Sequence, residues 1–160
     1  MNDEQPFTHL TSSGDVHMVD VSGKKVTARE AVAIAAVTLS DEVKEALFSG
    51  SLPKGDALAA VRLAGITGAK RTSELIPLCH PLPIDAVSVR VESTDGSAQI
   101  TASVATTGRT GVEMEAMTAV SVAALTLYDM VKGLDRGTVI GPIQLLHKSG
   151  GCSGTWDRDR

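Results

Sequence analysis

The chain has 160 residues, 42% hydrophobic but only 2% aromatic. That excludes a disordered chain and points to one domain with a core of Ala, Val, Leu and Ile. Its net charge of −4, from 15 Lys plus Arg against 19 Asp plus Glu, is no footprint of a general nucleic-acid binder.

The opening MNDEQPF has neither the basic nor the apolar stretch of a secretory signal. No apolar run reaches the ~20 residues of a membrane span. Two cysteines, Cys79 and Cys152, are too few for a disulfide scaffold, so reduced thiols and a cytoplasmic setting are expected, with no nucleic-acid and no membrane partner. A core without large rings buries little area per side chain, which favours an oligomer.

Residues 1–16 are polar and turn-rich and read as an N-terminal arm. A single domain is expected over 17–154, followed by a tail at 155–160. HMVDVS (17–22) alternates enough for a short strand. AREAVAIAAVTL (28–39) reads as a helix with Thr27 as its N-cap. Ser40 is placed to cap a second helix, DEVKEALFS, with Gly50 as its stop. SLPKGD (51–56) is a turn by composition, and a short helix ALAAVRLAG follows.

LIPLCHPLPI (75–84) sets three prolines, Cys79 and His80 in an apolar run. Proline fixes φ and removes a donor, so the segment is a stiff wall rather than a helix or central strand. AVSVRVES (86–93) and AQITASVAT (98–106) alternate with period two around TDGS, a hairpin signal. The longest helix pattern runs over 111–134, and GPIQLLHKSGG (141–151) reads as a short strand and glycine loop. Together these predict an α+β sandwich, an antiparallel sheet of about four strands with helices on one face.

Cys79 and His80 are adjacent and belong to no ligand pair with metal-site spacing, so no protein-only metal site is expected. Cys79 reads as a small buried hydrophobe. His80, between prolines, is either a backbone-satisfied core histidine or an aimed functional group. On the long helix Glu115, Thr118, Val122, Thr126 and Asp129 fall within roughly 60° of one another at ~100° per residue. Such a line is either a solvated face or a pocket lining. Glu115 and Asp129 are ~21 Å apart on a continuous helix, at 1.5 Å per residue. Either the acidic pair precedes the helix or sites form between subunits. Lys54, Lys70, Arg71, Arg109 and Lys148 lie beside glycines or turns, as in loops that cradle phosphate, though no P-loop or dinucleotide fingerprint is present.

HMVDVSGK, AGITGAKRTSELIPLCHPLPI, TGVEMEAMTAVSVAALTLYDMVKGLD and IGPIQLLHKSGGCSG together resemble the cyclic pyranopterin monophosphate synthase family of molybdenum cofactor biosynthesis. The resemblance runs from about His9 to Gly154. It implies a ferredoxin-like fold assembled as a hexamer, a trimer of dimers with sites at dimer interfaces. The implied reaction is that of a phosphorus–oxygen lyase. It takes (8S)-3′,8-cyclo-7,8-dihydroguanosine 5′-triphosphate, a cyclised GTP derivative, to cyclic pyranopterin monophosphate and pyrophosphate. Asp129 is then the acid/base position, Lys132 its partner and Lys54 a second catalytic lysine. Leu78, Cys79, His80, Met114 and Glu115 match substrate-contact segments, with Glu113, Lys70, Arg29 and Lys148 as further pocket residues. No cofactor is required, and Mg²⁺ is an option with the triphosphate. Cys152 stands where the family commonly has lysine, which leaves that loop's phosphate role open.

Many proton moves and no redox change are implied, so acid and base side chains suffice. A lysine base at neutral pH needs its pKa lowered by ~3 units from ~10.4. A nearby Asp129 favours charged Lys132, so Lys132 is expected as acid and Lys54 as base. The competing readings are a non-catalytic nucleotide-binding regulatory module and a purely structural oligomer.

Overall fold

A computed structural model describes residues 9–11 and 13–159. The expected N-terminal arm thus lies partly outside the described residues, and so does the last residue of the tail. The elements in chain order are β1 (Thr27–Thr38), α1 (Asp41–Ser49), α2 (Ala57–Lys70), α3 (Thr72–Leu75), β2 (Ala86–Thr94), β3 (Ser97–Gly108), α4 (Glu113–Val131), β4 (Val139–Ser149) and β5 (Trp156–Asp157). The strands form one antiparallel sheet in the order β2-β3-β1-β4-β5. The β-α-β-β-α-β succession with β1 between β3 and β4 is the ferredoxin-like arrangement. A fifth, two-residue strand from the expected tail extends the sheet by pairing Trp156 with Lys148.

The helix expected over 28–39 is instead β1, the central strand. Ala31, Ala33, Ala35 and Val37 alternate at 0% exposure, while Val32, Ile34 and Ala36 on the other face are half-buried. Alanine's helix preference is a few tenths of a kcal/mol per residue. It loses to pairing along the strand with β3 on one side and β4 on the other. The small side chains suit a strand on which α4 lies. The strand expected over 17–22 is irregular chain, and its neighbourhood contributes only the isolated bridge of Leu10 with Val16.

The other boundaries follow local chemistry. Ser40 Oγ accepts from Val43 N at 3.4 Å, and α1 stops at Gly50 in the left-handed region. Asp56 Oδ1 accepts from Ala59 N at 2.9 Å and starts α2. Thr94 pairs with Ser97 across Asp95-Gly96, the two-residue hairpin the sequence announces.

The helices share one face of the sheet, and α2 runs antiparallel to α4. At Gly65 a Cβ would stand 3.2 Å from the Ala119 carbonyl oxygen and 3.3 Å from Ala123 Cβ. At Gly68 it would stand 3.0 Å from Val122 Cβ. The polar line on α4 is therefore neither a solvated face nor a continuous pocket lining. Thr118 and Val122 form the seam against α2, and Thr126 Oγ1 donates to the Val122 carbonyl at 2.8 Å. Asp129 at one end of the line is exposed, and Glu115 at the other is buried against a cavity. By length and composition α4 is apolar enough to cross a membrane, but its buried positions are core contacts with sheet and α2.

Candidate active site

The C-terminal end of α4 gathers three charges. Asp129 sits in the last turn, and Lys132 follows one turn on, where side chains three apart meet. The 51–56 turn brings Lys54 to the same carboxylate, because α2 starts beside the end of α4. Lys132 Nζ donates to Asp129 Oδ1 at 2.7 Å. Lys54 Nζ donates to Asp129 Oδ2 at 2.9 Å and to the Asp129 carbonyl at 2.6 Å. The hydrogen bonds from Lys132 and Lys54, and then their charges, pull the Asp129 carboxyl down to about 2. The same contact raises Lys132, so this pair rests as carboxylate and ammonium at neutral pH. Both lysines share one carboxylate at rest, and Asp129 favours charged Lys132 as expected.

The N-terminal end of α4 opens on a cavity of about 280 Å³. Leu78, Cys79, His80, Glu113, Met114 and Glu115 all line it, as do His9, Val19, Val21, Lys24, Thr110 and Gly111. The proline-bound wall explains the aim of His80, whose Nε2 lies 2.8 Å from the Val19 carbonyl. With a carbonyl as partner Nε2 carries the hydrogen, leaving Nδ1 as an acceptor in the neutral ring. His80 is thus both backbone-satisfied and part of the cavity wall.

Glu115 is 4% exposed. Burial, with a smaller push from the Glu113 charge, raises its carboxyl to about 7 despite its own backbone hydrogen bond. It can give or take a proton near neutrality. Cys79 is half-buried on the same wall rather than in the core, and burial and then Glu115 push its thiol up, against a thiolate nucleophile.

The remaining expected residues are dispersed. Lys148 lies 4.0 Å from Glu113 and contacts Ser153 Oγ. Arg29 donates from Nε to the Gly108 carbonyl at 3.0 Å and from Nη2 to the Arg109 carbonyl at 3.1 Å, so it holds a loop. Lys70 is exposed at the end of α2, and Arg71 pairs with Glu74 at 2.9 Å. On one chain these cations do not converge as a phosphate cradle. Cys152 is exposed in the turn after β4. Among the described residues no three His, Cys, Asp or Glu side chains come together as a metal-binding set.

A lysine–carboxylate cluster and an acid-lined cavity thus stand at opposite ends of one helix. Glu113 and Glu115 are inside α4, so the alternative that they precede it falls away. The 14 residues from Glu115 to Asp129 span ~21 Å. A βαββαβ sandwich with a lysine–carboxylate cluster and an acid-lined cavity at the two ends of its core helix has the makings of a proton-transfer enzyme.

The chain belongs to the MoaC family, whose profile matches residues 18–151. A protein of Streptomyces coelicolor named cyclic pyranopterin monophosphate synthase is 56% identical over 152 residues, 95% of this chain and 89% of that one. One of the same name from Corynebacterium glutamicum is 56% identical over 151 residues, 94% of this chain and 96% of its own. Another, from Novosphingobium aromaticivorans, is 53% identical over 156 residues, 98% of each chain. A solved de novo designed protein, Foldit4, covers 73% of this chain and 94% of its own with a TM-score of 0.31 and 8% identity, too slight a likeness to bear on the fold.

Proposed function

We propose that this chain is a lyase of molybdenum cofactor biosynthesis. It converts (8S)-3′,8-cyclo-7,8-dihydroguanosine 5′-triphosphate to cyclic pyranopterin monophosphate and pyrophosphate. The observation that carries the chemistry is Asp129 held between Lys54 and Lys132. The relatives' shared name supports the substrate and product. Rearranging the purine-derived ring and closing a cyclic phosphate needs protons moved repeatedly and no electrons. Two ammonium groups on one ionised carboxylate offer protons and offset the charge that grows on departing pyrophosphate. At the other end Glu115, near its midpoint at neutral pH, can relay a proton at the base.

The site is composite in this reading. The cavity end of one copy meets the Asp129 end of a second, because ~21 Å of helix keeps them apart within a chain. Homo-oligomerisation follows, and a hexamer built as a trimer of dimers supplies such junctions. A core poor in aromatic side chains and a sheet with one uncovered face, where Val32 and Ile34 remain half-buried, support association. No resident cofactor is required. Mg²⁺ would travel with the triphosphate. Two free thiols support the cytoplasmic setting.

The test is pyrophosphate release from the cyclised triphosphate. Wild type should turn it over, and Asp129→Asn should lose at least about a hundredfold in kcat. Nucleotide binding without pyrophosphate release would instead favour a regulatory module, and normal turnover by Asp129→Asn would remove the catalytic role.

A further inference from the structure

Residues 155–160 read as a tail in the sequence, yet Trp156 and Asp157 close a hairpin on β4. Its loop turns on Gly150, Gly151 and Gly154, all at positive φ, and a Cβ at Gly150 would run into the Ala28 carbonyl. A two-residue ladder holds such a hairpin weakly. Side chains supply the rest. His147 Nδ1 donates to Asp157 Oδ1 at 2.8 Å, directly across the ladder. Val32 pairs with His147 and Ala33 with Leu145, so Leu146 is the extra residue of a bulge in β4. Arg158 takes both carbonyls at that bulge. Its backbone N donates to Leu146 at 2.8 Å and its Nε to Leu145 at 2.7 Å. The Arg158 guanidinium also lies 5.6 Å from the centre of the Trp156 ring.

These bonds grip β4 one residue before Lys148. Neighbours on a strand point to opposite faces. His147 stands opposite Val32, and these two line one hollow on the open face of the sheet with Asp157 and Arg158. Lys148 stands opposite Ala31, on the face that the helices cover. There its ammonium lies 4.0 Å from Glu113 Oε1 and contacts Ser153 Oγ in the hairpin loop. Its backbone pairs with Ala31 on one side and Trp156 on the other. At 17% exposure the Lys148 side chain is more enclosed than those of Lys54 and Lys132, at 44% and 49%. Its place therefore depends on the chain folded around it.

We propose that His147, Asp157 and Arg158 are positioning residues, a clasp that holds Lys148 against Glu113 from the opposite face of the sheet. The inference rests on the lyase reading, in which Lys148 binds substrate, and gives the C-terminal segment a part in it. The clasp touches no substrate itself. Loosening it lets the hairpin open and Lys148 leave Glu113, which weakens substrate binding and leaves the chemistry at Asp129 alone.

The test compares full-length Asp157→Ala, Lys148→Gln and the double variant, with Asp159→Asn as control. Asp159 forms no ion pair among the described residues. Lys148→Gln should raise KM for the cyclised triphosphate about tenfold. Asp157→Ala should raise it about threefold, the scale of a surface ion pair, with kcat within about twofold of wild type. Adding Asp157→Ala to Lys148→Gln should raise KM no further, since the clasp acts through Lys148. Asp159→Asn should leave KM unchanged. An unchanged KM in Asp157→Ala, or the same threefold rise on the Lys148→Gln background, would overturn the positioning role. If wild type releases no pyrophosphate, the lyase reading fails instead. Hydrogen exchange then decides the clasp: backbone amides of 149–155 should exchange about threefold faster in Asp157→Ala than in wild type, and equal rates would overturn it.

Discussion

Replacing Glu115 with glutamine should make the protein more stable, and by an amount that grows with pH. The carboxyl is 4% exposed and raised from 4.5 to about 7 in the fold. The unfolded chain ionises it freely above 4.5, whereas the folded chain resists until about 7. Stability tied to this proton is therefore full below pH 4.5 and is lost as pH rises through 7. A shift of that size costs wild type about 3 kcal/mol at pH 8 and under about 1 kcal/mol at pH 5. Glutamine keeps the shape and cannot ionise. Urea unfolding of both proteins at fixed subunit concentration, at pH 5 and pH 8, measures the difference. The advantage of Glu115→Gln should grow by roughly 2.5 kcal/mol between the two. A difference independent of pH would show that the cavity does not burden this carboxyl, and the proton-relay role would go with it.

Two further outcomes test the frame that holds the two ends. Gly68→Ala puts a Cβ 3.0 Å from Val122 Cβ, so it should cost about 1–3 kcal/mol in denaturant unfolding; a neutral result would mean that the α2–α4 seam has slack. Asp56→Ala removes the cap of α2 two residues from Lys54. It should cost about 1 kcal/mol and lower turnover through a displaced Lys54, which a melting curve and the pyrophosphate assay read separately.

Much of this is written locally in the chain. The Asp95-Gly96 hairpin, the Ser40 and Gly50 boundaries of α1 and the i,i+3 pairing of Asp129 with Lys132 each depend on neighbours in sequence. The central strand was hidden because both its faces are apolar: Ala31, Ala33 and Ala35 under the helices, Val32 and Ile34 opposite. Such a run carries no period that separates strand from helix. The polar line on α4 was visible, but its role turned on Gly65 and Gly68 in another helix. The irregular chain at 17–24 left no periodic signal because its anchors are side-chain bonds to backbone carbonyls, from His80 and Arg109, 61 and 85 residues away. Arg29, which the resemblance groups with the pocket, donates to the Gly108 and Arg109 carbonyls, 79 and 80 residues away, and no local pattern announces that contact.

A complementation assay tests the composite site most directly. Asp129→Asn disables one end of α4 and Glu115→Gln the other, and each alone should be nearly inactive in pyrophosphate release. Co-expressed and randomly mixed, the two should regain about a quarter of wild-type turnover, since half of the pairs would then hold one junction with both ends intact. Mixed oligomers that remain as inactive as either parent would mean that each chain works alone, and a site shared between copies would be wrong.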